Sequence, residues 1–232
     1  MRWRRVIGAV GGAATIIACS PTEPSDAVAG CVPTESSANA VLPLFERPFA
    51  GRAAVGNDFD HDLPLDGDAN GYVLTLCGAR DMSQVDGHPG YDYRMPEGTP
   101  LREVADGTVL FAGLEPLRPC PQLGRSVQAL LVELVHDAPS GERLASVYGH
   151  LSRLEVATGA RVASGMVIGL SGNTGCSGTP HLHFGVARDV GGVYRFLDPY
   201  GWHGATADPW ALDSRGVASA WLWKSGQAPP LQ

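Results

Sequence analysis

His181-Leu182-His183 sets two imidazoles at positions i and i+2, and on a β-strand such residues share one face. Leu182 and Phe184 then point the other way, into apolar packing. A pair so placed can supply one metal ligand and one neighbouring acid or base, although alone it is more often a structural or surface pair. His88-Pro89-Gly90-Tyr91-Asp92 is a second candidate. Pro and Gly between its polar residues forbid a regular helix, so the chain must bend, and a bend can bring imidazole and carboxylate onto one ion. Alone, such residues usually cap or hydrogen-bond a turn. Tyr148-Gly149-His150-Leu151 is a third, at the end of a predicted strand. A half-buried histidine bonded to a backbone carbonyl would equally explain it.

The elements that must position these residues read as short strands. The 232 residues include 30 glycines and 18 prolines, too many helix breakers for a bundle or coiled coil. The 44% hydrophobic content is enough to bury a core, which excludes a wholly disordered chain. Strand-like runs occur at 104–112, 129–135, 143–151, 161–162, 167–170 and 182–187, each bounded by turn residues. Ala138-Pro139-Ser140-Gly141 suits a hairpin loop. The expected fold is an antiparallel all-β domain with minor helices and no internal repeat. The part from Trp202 onward reads as an extension packed on the domain, with a loose end from Ser225.

Taken together and in order, the polar pieces resemble the lysostaphin/LytM-type zinc endopeptidases of bacterial cell walls (peptidase family twenty-three). The matching stretches are His88–Asp92, Gly98-Thr99-Pro100, Asp106-Gly107-Thr108-Val109, Tyr148–Leu151, the Gly-marked runs 158–162 and 165–169, and Ser171–Phe184. They span about Asp86 to Tyr200. The resemblance implies an all-β, antiparallel β-sheet core with Gly-rich loops forming an open groove. It implies one Zn2+ per chain, held by His88, Asp92 and His183, with His150 and His181 as metal-free catalytic histidines. Three protein ligands with a fourth position left for water is the usual pattern of hydrolytic zinc, and two imidazoles with one carboxylate leave such a centre at net +1. The residues leave open which free histidine is the base. By resemblance His181 takes that role and His150 stabilises the oxyanion. Two departures from the family pattern fall outside the ligand positions: Ser177-Gly178-Thr179-Pro180 replaces Ser-Thr-Gly-Pro, and Gly185 stands where an acidic residue is common.

Asp58-Phe59-Asp60-His61-Asp62 also looks like a metal cluster, but it has no place in that family's site. His61 is expected to be a turn or surface feature, and His136 and His203 take the same reading. Asp198-Pro199-Tyr200-Gly201-Trp202 is partly echoed in Asp208-Pro209-Trp210. Both read as turns with aromatic packing, with a groove wall as one place for them.

Arg2, Arg4 and Arg5 followed by an apolar stretch from Val6 to Ala18 read as an export signal, too short for a permanent membrane helix. Ile16-Ile17-Ala18-Cys19 resembles a lipobox, so Cys19 is the expected lipidation site and the membrane, through that lipid, an expected partner. The polar stretch 20–25 suits a flexible tether. Four cysteines remain, an even set that suggests two disulfides in an exported protein. Three connectivities are open. Cys31–Cys77 with Cys120–Cys176 is preferred, because each bridge then stays within one structural segment. A disulfide at Cys176 would hold the loop beside the site.

The resulting organisation is a signal at 1–18, a tether at 19–40, an N-terminal extension at 41–85, the endopeptidase-like domain at 86–201 and a C-terminal extension at 202–232. Residues 31–80 are a candidate pro-segment, with Asn57 and His61 as side chains that could reach the metal. The net charge of −7, with no Arg run outside the N-terminus, argues against nucleic-acid binding. Loss of the signal's three arginines would take the charge to −10, so recognition of an anionic wall would be local to a groove. The expected substrate is peptidoglycan peptide. A regulatory module of the same fold is the main alternative, and a general secreted protease a third. Degenerate members of the family lose ligands, whereas all five polar positions stand here.

Overall fold

The computed structural model describes residues 31–62 and 70–231. The expected export signal, Cys19 and the tether as far as residue 30 lie outside the described residues. No helix among the described residues is long and apolar enough to cross a membrane.

The protein is nearly all β. Its main sheet has eight strands: β1 (Ala54–Asn57), β2 (Tyr91–Arg94), β3 (Gly107–Leu114), β4 (Leu130–Asp137), β5 (Arg143–Gly149), β6 (Arg161–Val162), β7 (His181–Val190) and β8 (Val193–Leu197). In space they run β6-β3-β4-β5-β7-β2-β1, with β8 also paired to β7. Every pairing in this sheet is antiparallel. The single α-helix among the described residues, Pro209–Leu212, is one turn long. The Gly- and Pro-rich composition thus produces turns and strands, as its helix-breaking chemistry requires.

β7 is the axis of the arrangement. β5 occupies one edge along its length, with Gly149 opposite His183 and Leu144 opposite Arg188. β2 and β8 share the other edge: β2 pairs with residues 181–184 and β8 with 186–190. The alternation expected for His181-Leu182-His183-Phe184 holds. Leu182 and Phe184 are fully buried among the core aromatics, and Phe184 packs edge-on against Tyr148 at 5.3 Å. The Ala138–Gly141 turn is closed by a Gly141 N–H bond to the Ala138 carbonyl.

Smaller units brace this sheet. Val41–Phe45 pairs in parallel with Trp221–Trp223, joining the two ends of the described chain. Trp223 is fully buried and touches the rings of Phe45, Phe184 and Tyr200. The tail beyond it is not loose. The Arg47 guanidinium donates to the carbonyls of Gly226, Gln227 and Ala228, and the Tyr200 hydroxyl donates to that of Pro229. Backbone carbonyls carry no sequence signature, so this anchoring was invisible in the tail's Pro/Gly-rich composition. Both preferred disulfides are present, Cys31–Cys77 and Cys120–Cys176.

Candidate metal centre

His88, Asp92 and His183 converge. His88 Nε2 lies 3.0 Å from Asp92 Oδ1 and 2.9 Å from His183 Nδ1. His183 Nδ1 lies 3.0 Å from the same Asp92 oxygen. Strand pairing produces this triangle: the β7–β2 register sets His183 directly opposite Asp92. Gly149 then flanks His183 on the other side, and its missing side chain leaves room, since a Cβ there would sit 3.2 Å from His183 Cβ. His88 reaches the group because the chain bends between it and β2. Gly90 makes that bend possible, for a Cβ at this position would lie 2.5 Å from the Phe184 carbonyl oxygen.

Three donor atoms 2.9–3.0 Å apart form the only group with metal-binding geometry among the described residues. Tetrahedral zinc with ligand distances of ~2.0–2.1 Å separates its ligands by about 3.3 Å, so small rotations of the rings suffice. The hydrogen bonds behind the donors are also set. His88 Nδ1 donates to the Asp58 carbonyl at 2.9 Å, which leaves its Nε2 lone pair facing the centre. Asn57 Nδ2 donates to Asp92 Oδ2 at 2.7 Å, occupying the oxygen that does not face the histidines. The Asn57 amide is itself oriented, because its Oδ1 accepts from the Val85 N–H. Burial alone would raise the Asp92 pKa, but His88, His181 and His183 outweigh it and hold the carboxyl far below its usual range. Burial likewise opposes charge on His88, yet Asp92 raises its pKa.

His150 and His181 stand beside this triangle, their ring centroids 4.6 Å apart. His181 Nε2 is 3.4 Å from Asp92 Oδ1. His150 directly follows β5 in the left-handed region, at φ 64°, the only non-glycine residue with positive φ among the described ones. Such a conformation persists where its surroundings hold it. Each ring turns Nδ1 to a backbone carbonyl, His150 to Thr174 at 2.6 Å and His181 to Thr179 at 2.8 Å. A carbonyl only accepts, so both Nδ1 atoms carry hydrogen and both neutral rings keep a bare Nε2. Burial and the nearby His183 push the His150 pKa down to about 4. Burial opposes charge on His181 too, but Asp92 raises its pKa.

All five residues singled out in the sequence therefore meet in one place. Asn57, from the candidate pro-segment, reaches the group through Asp92. His61 does not. Nor is it a surface feature: it lies in a turn but is fully buried, with Nδ1 2.9 Å from Asp208 Oδ1 and Nε2 3.0 Å from Asp198 Oδ2. The aspartates of the two echoed Asp-Pro motifs are its partners, 137 and 147 residues away in the chain. Their aromatic neighbours Tyr200, Trp202 and Trp210 are buried. Asp198 also accepts from the Tyr91 hydroxyl at 2.7 Å, which ties the cluster to the residue preceding Asp92. His136 is buried as well, bonded to the Asp106 carbonyl and the Ser146 hydroxyl. It lies on the core-facing side of β4 with Val132 and Leu134, while Glu133, Val135 and Asp137 on the other side are partly or fully exposed; a histidine type alone does not signal such burial. A cavity of about 410 Å3 lined by Ser37, Trp202, His203 and Asp208 contains none of the five residues.

Residues 86–195 match the sequence profile of Peptidase family M23. The glycyl-glycine endopeptidase ALE-1 of Staphylococcus capitis is 39% identical over 97 residues, 42% of this chain and 24% of ALE-1. The DD-carboxypeptidase/endopeptidase Mpg of Neisseria meningitidis is 36% identical over 97 residues, 42% of this chain and 19% of Mpg. The peptidoglycan DD-endopeptidase ShyA of Vibrio cholerae is 38% identical over the same length, again 42% of this chain and 19% of ShyA. The chain thus covers about a fifth to a quarter of the length of these relatives. Among solved structures, the catalytic domain of lysostaphin from Staphylococcus simulans is 28% identical, covering 60% of this chain and 82% of that one, with a TM-score of 0.41.

Proposed function

Because this chain carries a peptidase family M23 domain at residues 86–195, we propose that it is a zinc endopeptidase hydrolysing peptide bonds in peptidoglycan stem peptides or cross-links. The observation that carries this reading is the convergence of His88 Nε2, Asp92 Oδ1 and His183 Nδ1 on one point. Two imidazoles and a carboxylate suit zinc, and three protein ligands leave a position for chemistry. Bound there, Zn2+ supplies a Lewis acid that polarises a carbonyl and acidifies water.

The protein's own groups do the rest. Asn57 holds Asp92 so that a single oxygen faces the histidines. His181 is the base: its bare Nε2 sits beside Asp92 and takes the proton of the attacking water, then returns it to the leaving amine. His150, 4.6 Å away, faces the developing oxyanion; that negative charge draws a proton from solvent onto its Nε2, against the burial that keeps the resting ring neutral, and the imidazolium then stabilises the oxyanion. The names of ALE-1, Mpg and ShyA support the endopeptidase class and a cell-wall substrate. The same reading makes the protein exported and anchored by lipid on Cys19, with the catalytic domain on the outer side of that membrane.

The test is a digestion. Purified full-length protein should carry one zinc, release smaller products from defined cross-linked muropeptides and stop when a chelator is added. His183→Ala and Asp92→Ala should lose both metal and hydrolysis; retention of both would overturn the ligand assignment. Zinc binding with every muropeptide left intact would make the protein a regulatory module instead. Incorporation of a fatty-acyl label, lost in Cys19→Ser, checks the anchor.

A further inference from the structure

The five site residues rest on two kinds of support. Asp92 and His183 lie in paired strands, and His88 is bonded to the adjacent Asp58 carbonyl. The ring orientations of His150 and His181 depend instead on the loop between residues 173 and 180, which carries no strand ladder of its own. Thr174 holds His150 twice, with its N–H on the His150 carbonyl at 3.4 Å and its own carbonyl on His150 Nδ1 at 2.6 Å. Its hydroxyl donates to the Leu151 carbonyl. Thr179 holds His181 Nδ1, with the Ser177 hydroxyl 3.3 Å from the same nitrogen. Cys176 lies between the two threonines and is bridged to Cys120, on a separate hairpin formed by Arg118–Cys120 and Arg125–Val127. The loop has two other fastenings on that side: the Leu130 N–H bond to Thr174 Oγ1, and the close seat of Gly175 on Ala129.

We propose that the Cys120–Cys176 bridge is a positioning element of the active site, fixing the tautomer of both metal-free histidines through the carbonyls of Thr174 and Thr179. The proposal rests on the endopeptidase reading, in which those two rings move protons. The physical argument is short. While the two carbonyls stay in place, each neutral ring must keep its hydrogen on Nδ1 and its lone pair on Nε2. If the loop drifts, that preference is lost and each ring samples both tautomers, only one of which has a basic Nε2. His150 has a second dependence, since Thr174 also binds the carbonyl of its left-handed backbone. The Cys31–Cys77 bridge touches none of these groups, so it serves as an internal control.

The experiment compares full-length zinc-loaded wild type, C31S/C77S and C120S/C176S. Long-range 1H–15N spectra of the histidine rings report the tautomers, alongside zinc content and kcat and KM on a defined cross-linked muropeptide. Wild type and C31S/C77S should show Nδ1–H tautomers at His150 and His181. C120S/C176S should show mixed tautomers at both rings, one zinc retained, and kcat lower by about ten- to a hundredfold with KM little changed, as expected for misplaced catalytic groups. Opening the remaining bridge of folded C31S/C77S with a phosphine reductant gives the same comparison without relying on the double variant to fold. Gly175→Ala displaces the loop with the bridge intact, because its Cβ would lie 2.6 Å from Ala129 Cβ; it should mix the tautomers too. Unchanged Nδ1–H signals at both rings with the bridge open would overturn the proposal. Failure of wild type to hydrolyse any muropeptide would overturn the endopeptidase reading instead, and the tautomer comparison, which needs no turnover, would still decide the role of the bridge.

Discussion

Replacing His61 by Gln should flatten the alkaline limb of the protein's stability curve. Both ring nitrogens of His61 lie within hydrogen-bond distance of a carboxylate oxygen, 2.9 Å to Asp208 and 3.0 Å to Asp198. Ionised carboxylates only accept, so both nitrogens must carry hydrogen and the ring is an imidazolium. Full burial works against that charge, but the two aspartates outweigh it and raise the pKa from 6.5 to about 9. At ~1.4 kcal/mol per pKa unit the shift is worth roughly 3 kcal/mol. The folded state holds this proton more tightly than the unfolded chain. The contribution is therefore complete below the unfolded value of 6.5, declines as pH rises, and is gone above about 9. Tyr91, which donates to Asp198, is pushed well above 10 by burial and is silent in this window. Urea unfolding with the disulfides intact, from about pH 6 to about pH 10, should show wild type losing roughly 3 kcal/mol more than H61Q. Parallel curves for the two proteins would refute the argument, as would an NMR titration of His61 near the ordinary histidine value.

Three further outcomes follow from individual contacts. Asn57→Ala removes the donor to Asp92 Oδ2 and should weaken zinc binding by about ten- to a hundredfold, measured by competition with a chromophoric chelator. Gly90→Ala would drive a Cβ to 2.5 Å from the Phe184 carbonyl. Backbone cannot yield cheaply there, so stability should fall by about 1–3 kcal/mol in urea unfolding and zinc content should fall with it. Glu103 is buried with Oε2 unpartnered, and burial raises its pKa from 4.5 to about 8. Wild type should accordingly lose stability as pH rises between those values, whereas Glu103→Gln should stay level up to about pH 6.5 and above it show only the decline that His61 contributes.

The comparison of H61Q and E103Q bears on why parts of the site were legible in the sequence. The histidine pair at 181 and 183 was readable because a strand repeats every two residues, so the shared face follows from spacing. The bend at His88–Asp92 was readable because Pro and Gly act locally. Strand positions and the scarcity of helix belong to the same class, whereas the cysteine pairs, 46 and 56 residues apart in the chain, were a preference among three connectivities that the tertiary structure decided. His61 was not readable as a buried cation, because the two carboxylates that hold its charge follow β8 and precede the short helix. Glu103 and His136 show the same limit: His136 lies on the core-facing side of β4 and Glu103 just after a short strand, and whether such a polar side chain is buried depends on segments that pack against it from elsewhere in the chain.

Residue types and local spacing thus determined the strand-rich fold, the donor set and the family resemblance. Each of these depends on interactions a few residues long. The tertiary structure decided which atoms meet: Asp92 opposite His183 through the β2–β7 register, Asn57 behind Asp92, and His150 in a left-handed turn held by Thr174. Register, burial and carbonyl contacts are properties of segments far apart in the chain, and their energies appear only when those segments pack.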